Sequence, residues 1–349
     1  MTDVTETLKT LSELHGPTGQ EDSVADYLEH QFKSCGFATR RDVLGNVIAS
    51  KGSGKKVMVA AHMDEISMSV KSITDKGFLK FVKIGGIYDP MLVGARVLVH
   101  AKKSVLGVVA TKAPHQMDGD EIKKIQEAKD LCIDVGTSKK AETEKLGIRP
   151  GTHITFVADF QAFSGHRVIG KALDDRAGCA TLVLLAHAFA KKNPPVELCL
   201  VGTVREESGL FGAGVAAFGL EPDLAVAVDV THAFGAPGAT EEEVPVALGK
   251  GPALAVIEGG GYGLISSQKM VDWVESVAKK QNVPLQMDVH ERGSTDASRM
   301  QYSRKGVLTA SLGIPLRYMH SQSEIVDVRD VEQTANLVEG LVNAFPNYG

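Results

Sequence analysis

Cysteine is scarce in this sequence and never clustered. The four residues, Cys35, Cys132, Cys179 and Cys199, form no C-x-x-C pair. That leaves neither a thiolate metal site nor a disulfide framework. Each is expected as a reduced thiol, and a cytoplasmic location is expected with them. Long basic runs are missing too, and the formal net charge is -5, so nucleic acid is not an expected partner. No apolar run is long enough to cross a bilayer. The opening MTDVTETLKT is polar and amphipathic, unlike a signal peptide, and no membrane partner is expected. Internal repeats and low-complexity tracts are also absent.

What is present is an ordinary globular balance: 43% hydrophobic and 23% charged over 349 residues, enough for a large core and two domains. Helical and strand periodicities alternate at the start. VTETLKTLSEL reads as a helix. PTGQEDSVADYLEHQFKSCG reads as another, with a capping box from Thr18 to Glu21 and a stop at Gly36. NVIASKG and KKVMVAA read as strands. From about Val70 to Phe163 the texture changes to short strands (RVLVHAKKSVLGVVAT, THITFVAD) and glycine-rich turns, with short helices expected near GDEIKKIQEAKD and SKKAETEKLG. From Ala172 the alternation resumes through RAGCATLVLLAHAFAKK, ELCLVGTV, LAVAVDV, SSQKMVDWVESVAKKQ, LQMDV, GVLTASLG and VRDVEQTANLVEGLVNAF. The expected fold is therefore α/β: a mostly parallel sheet with helices on both faces (residues 1–69 and 164–349), carrying an inserted, smaller β-rich domain (70–163).

Ligands in open α/β sheets gather beyond the carboxyl ends of strands, and here those ends are polar. His62 and Asp64 follow VMVAA and share one face of an extended chain. Asp174 and Asp175 precede a helix, Glu206 and Glu207 follow ELCLVGTV, Asp229 ends LAVAVDV, and His320 follows GVLTASLG. Taken singly, each has a plain structural reading: a surface corner, a helix-end charge, a solvated turn. Asp229 is the exception, since a carboxylate in an apolar strand needs a strong partner. Together, two histidines and several carboxylates make an oxygen-rich site with imidazole, suited to zinc, cobalt or manganese. Among other polar residues, His115, His153 and His166 read as surface groups. His166, Lys171 and His232 are candidates for an outer ring around the site. VIEGGGYGLISS has the look of a phosphate cradle without nucleotide-motif spacing, and is expected as a connector or substrate-side loop. Trp273 and Phe345 are expected to pack on helices.

The set AAHMDEIS, KALDDRAG, REESGLFGA, AVDVTHA, GSTDAS and YMHSQSEIVDVRD resembles the tetrahedral dodecameric aminopeptidases. These are dinuclear metallopeptidases of clan MH that include glutamyl and deblocking enzymes, some carrying an endoglucanase label. The resemblance covers essentially the whole chain. It implies an aminopeptidase that removes N-terminal residues from short peptides with two divalent ions per subunit, zinc or cobalt first and manganese also compatible. It implies His62 and Asp229 on one ion, Glu207 and His320 on the other, and Asp174 shared, with a cis Asp174–Asp175 peptide. Glu206 would be the catalytic general base, with Asp64 supporting His62 from behind. Asp296 matches a motif near the substrate. Ser208 and the proline-free HSQSE depart from the family pattern without touching a proposed ligand. The β-rich insertion, which holds none of those ligands, would pair subunits into dimers and onward to a dodecamer. Other clan chemistry (a carboxypeptidase or deacylase) is the alternative, with a non-catalytic metal-binding scaffold behind it. A glycosidase would want two carboxyl groups facing one bond and would leave His62, Asp229 and His320 without a role.

Overall fold

The computed structural model describes residues 3–348. Four strands form the parallel centre of an eleven-stranded sheet, in the order Glu197–Thr203, Lys56–His62, Leu224–His232, Leu308–Arg317. Antiparallel strands flank it, some of them joined as hairpins by short connections. Ala38–Arg41 and Val47–Lys51 lie on one side, and Glu324–Asp327, Arg167–Gly170 and Gln161–Ala162 on the other. Ala253–Ile257 pairs antiparallel with Leu308–Arg317 and carries the parallel Gln286–Val289.

Period-two alternation sends neighbouring side chains to opposite layers. Val57, Val59 and Ala61 enter the larger core with the helices Val4–Glu13, Asp22–Ser34, Leu173–Ala188, Gln268–Gln281 and Val328–Ala344. Met58 and Ala60 face the helices Phe211–Leu220 and Ala297–Met300. Helices thus cover both faces, and the central strands are near-continuous apolar runs because both sides are buried. Trp273, Phe345 and Tyr348 form an aromatic cluster at the back of this layer, with Trp273 and Tyr348 ring centroids 4.8 Å apart.

The second unit is a closed six-stranded barrel: Ser67–Ile73, Leu79–Ile84, Cys132–Asp134, Val105–Ala110, Arg96–Val99 and His153–Phe156. It has its own core around Met68, Leu79, Val97, Ile133 and Ile154.

Two local expectations are corrected. The stretch 119–130 forms turns, whereas Lys140–Lys145 is a short helix. The Asp118 carboxylate accepts the Asp120 and Glu121 amides as an Asx turn, and Ile122 and Ile125 remain 54% and 66% exposed. Of its apolar residues only Ala128 packs against the barrel core, and an isolated helix so short, without a buried face, is not stable. Thr18 does not cap the second helix, which begins at Asp22 without a side-chain cap. Its hydroxyl donates instead to Asp64 Oδ2 at 2.8 Å, and Glu21 accepts the Gly19 and Arg205 amides. Gly36 does end the helix, at φ 79°.

Candidate metal centre and active site

Because the central strands run parallel, their carboxyl ends share one edge, and the polar residues collect there. His62 is the last residue of its strand, Asp229 lies three residues before the end of the next, and Glu206–Glu207 follow Glu197–Thr203. Asp174 comes from the start of the Leu173–Ala188 helix and His320 from the turn after Leu308–Arg317. His62 Nε2 lies 3.0 Å from Asp174 Oδ1 and 3.8 Å from Asp229 Oδ1. His320 Nε2 lies 3.3 Å from Asp174 Oδ2 and 3.4 Å from Glu207 Oε1. Asp174 therefore turns one oxygen to each histidine.

Two donor clusters result. Asp174, Glu207 and His320 bring ligand atoms within 4.8 Å of one another, as do His62, Asp175 and Asp229. Asp175 is committed elsewhere. Its Oδ2 accepts the His62 amide at 3.2 Å and its Oδ1 the Gly178 amide at 2.8 Å. Asp174, between both histidines, is the better shared donor. The Asp174–Asp175 peptide is cis.

The backbone around these residues is held in unusual conformations. Ala172, Arg205, Leu210, Tyr318 and His320 have φ of 54°, 59°, 63°, 62° and 60°, a left-handed region that non-glycine residues occupy at a cost. Asp64 is fully buried and collects the Glu206 amide (3.0 Å), the Glu207 amide (3.2 Å) and the Thr18 hydroxyl. The backbone carbonyl of Asp64 lies 3.1 Å from His62 Nδ1, and its carboxylate 3.5 Å. With Nδ1 so engaged, Nε2 is left for the cluster. For His320 the same task falls to the Gly86 carbonyl, 3.2 Å from Nδ1.

Gly86 lies just beyond the barrel strand Leu79–Ile84, so the barrel reaches the centre by its backbone. A Cβ at Gly86 would come within 2.6 Å of His320 Nδ1, and one at Gly85 within 2.9 Å of Glu207 Oε2. Sequence reasoning missed this contact, because a carbonyl carries no residue-type signal; only the paired glycines hint at close approach.

The electrostatics follow from burying several carboxylates together. Burial, offset only partly by His62, pushes Asp229 up to about 8 and Glu206 well above the usual carboxylate range. Burial also raises Glu207, against the bond to His320. Burial would lower His320, but Asp174 and Glu207 carry it up to about 12. For Asp174 the two histidines overcome burial and hold it below its ordinary value. Carboxylates crowded together that resist ionising, as Asp229 and Glu207 do, are what divalent cations relieve. The donor set thus fits two hard-to-borderline ions.

Several other expectations are placed differently. Asp296 is 3% exposed, lies beneath the site and accepts the Thr203 hydroxyl at 2.6 Å; it does not line the cavity. Lys171 is buried and paired with Glu65 at 2.8 Å, with Arg176 3.6 Å from the same carboxylate. It braces the chain leading into Asp174 without touching that side chain. His115 and His166 are exposed, and His153 is half-buried in the barrel. His232 sits exposed on the cavity wall. In the glycine-rich loop the Gly260, Gly261 and Gly263 amides bond to the His290 and Glu258 carbonyls, which leaves no cradle for phosphate. Glu258 supports Thr295 from that loop.

The centre opens into a cavity of about 460 Å³. Beyond the donor cluster its wall includes Glu206, Leu210, His232, His290, Arg292, Arg299 and Met319, with Glu206 the carboxylate outside the donor groups among the described residues.

The M42 glutamyl aminopeptidase family model matches residues 45–337. A lysyl aminopeptidase from Pyrococcus furiosus is 37% identical over 350 residues, 97% of this chain and 96% of that protein. Among solved structures, an aminopeptidase from the archaeon Desulfurococcus kamchatkensis gives a TM-score of 0.92 at 38% identity, covering 97% of this chain and 94% of that one. The Pyrococcus horikoshii TET1 peptidase, which can assemble into a tetrahedron or a large octahedral shell, gives 0.89 at 30% identity over 97% and 99%. With the donor clusters at the strand ends, these likenesses run the length of the chain, which belongs to the M42 glutamyl aminopeptidase family of metal-dependent peptidases.

Proposed function

We propose a dinuclear centre that releases the first residue of short peptides, with His62 and Asp229 on one ion, Glu207 and His320 on the other, and Asp174 shared. The observation that carries it is Asp174, whose two oxygens face two histidines of opposite clusters. Zinc or cobalt, or else manganese, would supply an acidified water and a polarised scissile carbonyl when bound. The chain's own groups do the rest. Glu206 takes the water's proton and returns it to the departing amine. Its carboxylate is left for that task because it lines the cavity yet belongs to neither donor group. Asp64 fixes Glu206 and Glu207 through their amides, so that one side chain stays with the metal cluster and the other is left for the proton.

The unliganded wall of the cavity supports a preference. Arg292 and Arg299 have no carboxylate within ion-pair distance among the described residues, and His232 and His290 stand with them. Such a wall favours an acidic first residue over lysine, whatever the Pyrococcus furiosus relative is named for. A cytoplasmic enzyme is part of this reading, supported by four free cysteines; no helix among the described residues is long and apolar enough to cross a membrane.

The test is a set of unblocked short peptides and aminoacyl p-nitroanilides, assayed on metal-free protein reconstituted with each ion. Release is expected stepwise from the amino end, with glutamyl or aspartyl substrates favoured over lysyl by roughly tenfold or more in kcat/KM. Faster release from the carboxyl end would move the chain to the carboxypeptidase alternative, and hydrolysis of acylated amines alone would make it a deacylase. Lysyl preference would refute the charged-wall argument.

A further inference from the structure

We infer that Glu324, to which no role has been assigned above, is the positioning residue that ties Asp174 to His320 and so sets the geometry of one ion site. The inference rests on the two-ion reading. Glu324 begins the strand Glu324–Asp327 and is 1% exposed. Its Oε2 accepts the Asp174 amide at 3.0 Å and its Oε1 the His320 amide at 2.9 Å. A carboxylate this buried ordinarily needs a cation, yet no lysine, arginine or histidine side chain lies within ion-pair distance of it among the described residues. Two backbone amides, from segments far apart in sequence, are its only hydrogen-bond partners there.

The donors divide into two kinds, and this division explains why Glu324 is needed. His62 and Asp229 belong to central strands, whose backbone is fixed by neighbouring strands. Asp174, Glu207 and His320 belong to irregular chain, beside residues of positive φ. Each of these three has its amide held by a buried carboxylate, Glu207 by Asp64, and Asp174 and His320 by Glu324; the His62 amide is held likewise by Asp175, but His62 has strand pairing with Thr203 besides. Glu324 also pairs across the sheet with Gly170, at the end of the strand that leads through Lys171 to Asp174. Both ends of the 3.3 Å approach between Asp174 Oδ2 and His320 Nε2 are therefore referred to one side chain.

Only a carboxylate offers an acceptor to both amides. In Glu324→Gln one oxygen becomes an NH₂ group, which faces an N–H donor, so one of the two bonds is lost at nearly constant shape. The experiment is stepwise metal binding to metal-free wild type and E324Q by calorimetry with chelator competition, alongside thermal melting of both metal-free proteins. The expected result is two ions on wild type, and on E324Q a weakening of the ion at Glu207 and His320 by about 10- to 100-fold, with a clearly smaller loss at the other, which shares Asp174 but keeps His62 and Asp229 on their strands, at a metal-free melting temperature close to wild type. Raising metal concentration should then restore much of kcat. Glu324→Asp keeps both acceptors but shortens the reach, and should fall between the two. Equal weakening of both ions, no weakening of either, or a melting loss in the metal-free E324Q and E324D proteins that accounts for the binding loss would overturn the inference. Wild type that saturates at a single ion would sink the two-ion reading and this inference with it. Two ions on wild type with E324Q unchanged would sink this inference alone.

Discussion

Glu206 and Glu207 are neighbours in sequence with different duties in the proposed reading, and substitution separates them. Glu206→Gln keeps shape but cannot accept a proton. It is expected to lower kcat by about 10² to 10⁴, or roughly 3 to 5 kcal/mol of barrier, while elemental analysis still finds both ions. Glu207→Gln should instead weaken one ion. Equal metal loss in both, with full activity of reloaded Glu206→Gln, would reverse the assignment. At this scale the donors were legible in the sequence because a charged residue at the end of an apolar strand stands out against its surroundings. Glu324 did not stand out. It lies in the quoted YMHSQSE run, but its partners are backbone amides, one of them from a remote segment, and amides leave no mark in a sequence. Thr18 misled for the converse reason: its spacing to Glu21 matches a capping box, while its hydroxyl goes to a carboxylate brought near only by the fold.

At the scale of elements, the loop that presents Glu206 and Glu207 is locked at both ends. Asn46 Oδ1 accepts the Val204 amide and its Nδ2 donates to the Gly212 carbonyl, each at 3.0 Å. The Gly212 amide returns to the Val204 carbonyl at 3.0 Å. A Cβ at Gly212 would lie 2.3 Å from that carbonyl oxygen and 2.5 Å from Asn46 Oδ1, and neither has room to retreat. Gly212→Ala should therefore cost about 1 to 3 kcal/mol as overpacking, seen as a lowered melting temperature, and should disturb the Glu207 ion before the one at His62. An alanine variant with wild-type melting and metal binding would show that the loop has slack. The central strands and the long helices were readable from periodicity, whereas the short strands Ala38–Arg41, Gln161–Ala162, Arg167–Gly170, Ala253–Ile257 and Glu324–Asp327 were not. The turn segment 119–130 was not, because its charge pattern resembles a surface helix and only the missing apolar contact decides against it.

For the whole molecule, two of the places where apolar residues are exposed bear on assembly. Val82, Tyr88, Val93, Leu106, Ile122 and Ile125 lie on the barrel or its loops. Phe211, Val215 and Phe218 line one face of a helix on the catalytic unit, at i, i+4 and i+7. A closed shell built from dimers needs at least two kinds of contact. We propose that residues 70–163 pair subunits and that the helical face serves the second contact, with a dodecamer as the favoured state. Light scattering on metal-loaded protein is expected to show that assembly, and Phe218→Glu should stop it at the dimer. A monomer at micromolar concentration would remove the pairing role, and an unchanged dodecamer in the Phe218→Glu protein would place the second contact elsewhere.

The turn at Gly85–Gly86 has a consequence for anyone who recombines these proteins. An inserted domain invites exchange, as though it were cargo; the expected joints at 69 and 164 move to just before Ser67 and just after Phe156, since residue 69 lies within a barrel strand and Gln161–Ala162 belongs to the main sheet. Here the insert carries a piece of the catalytic wall: the Gly86 carbonyl orients His320, and both glycines leave space that His320 and Glu207 occupy. A chimaera that takes its barrel from a relative must inherit this turn with the recipient's own histidine. The border between heritable parts therefore runs through the barrel, beyond its second strand, and not around it.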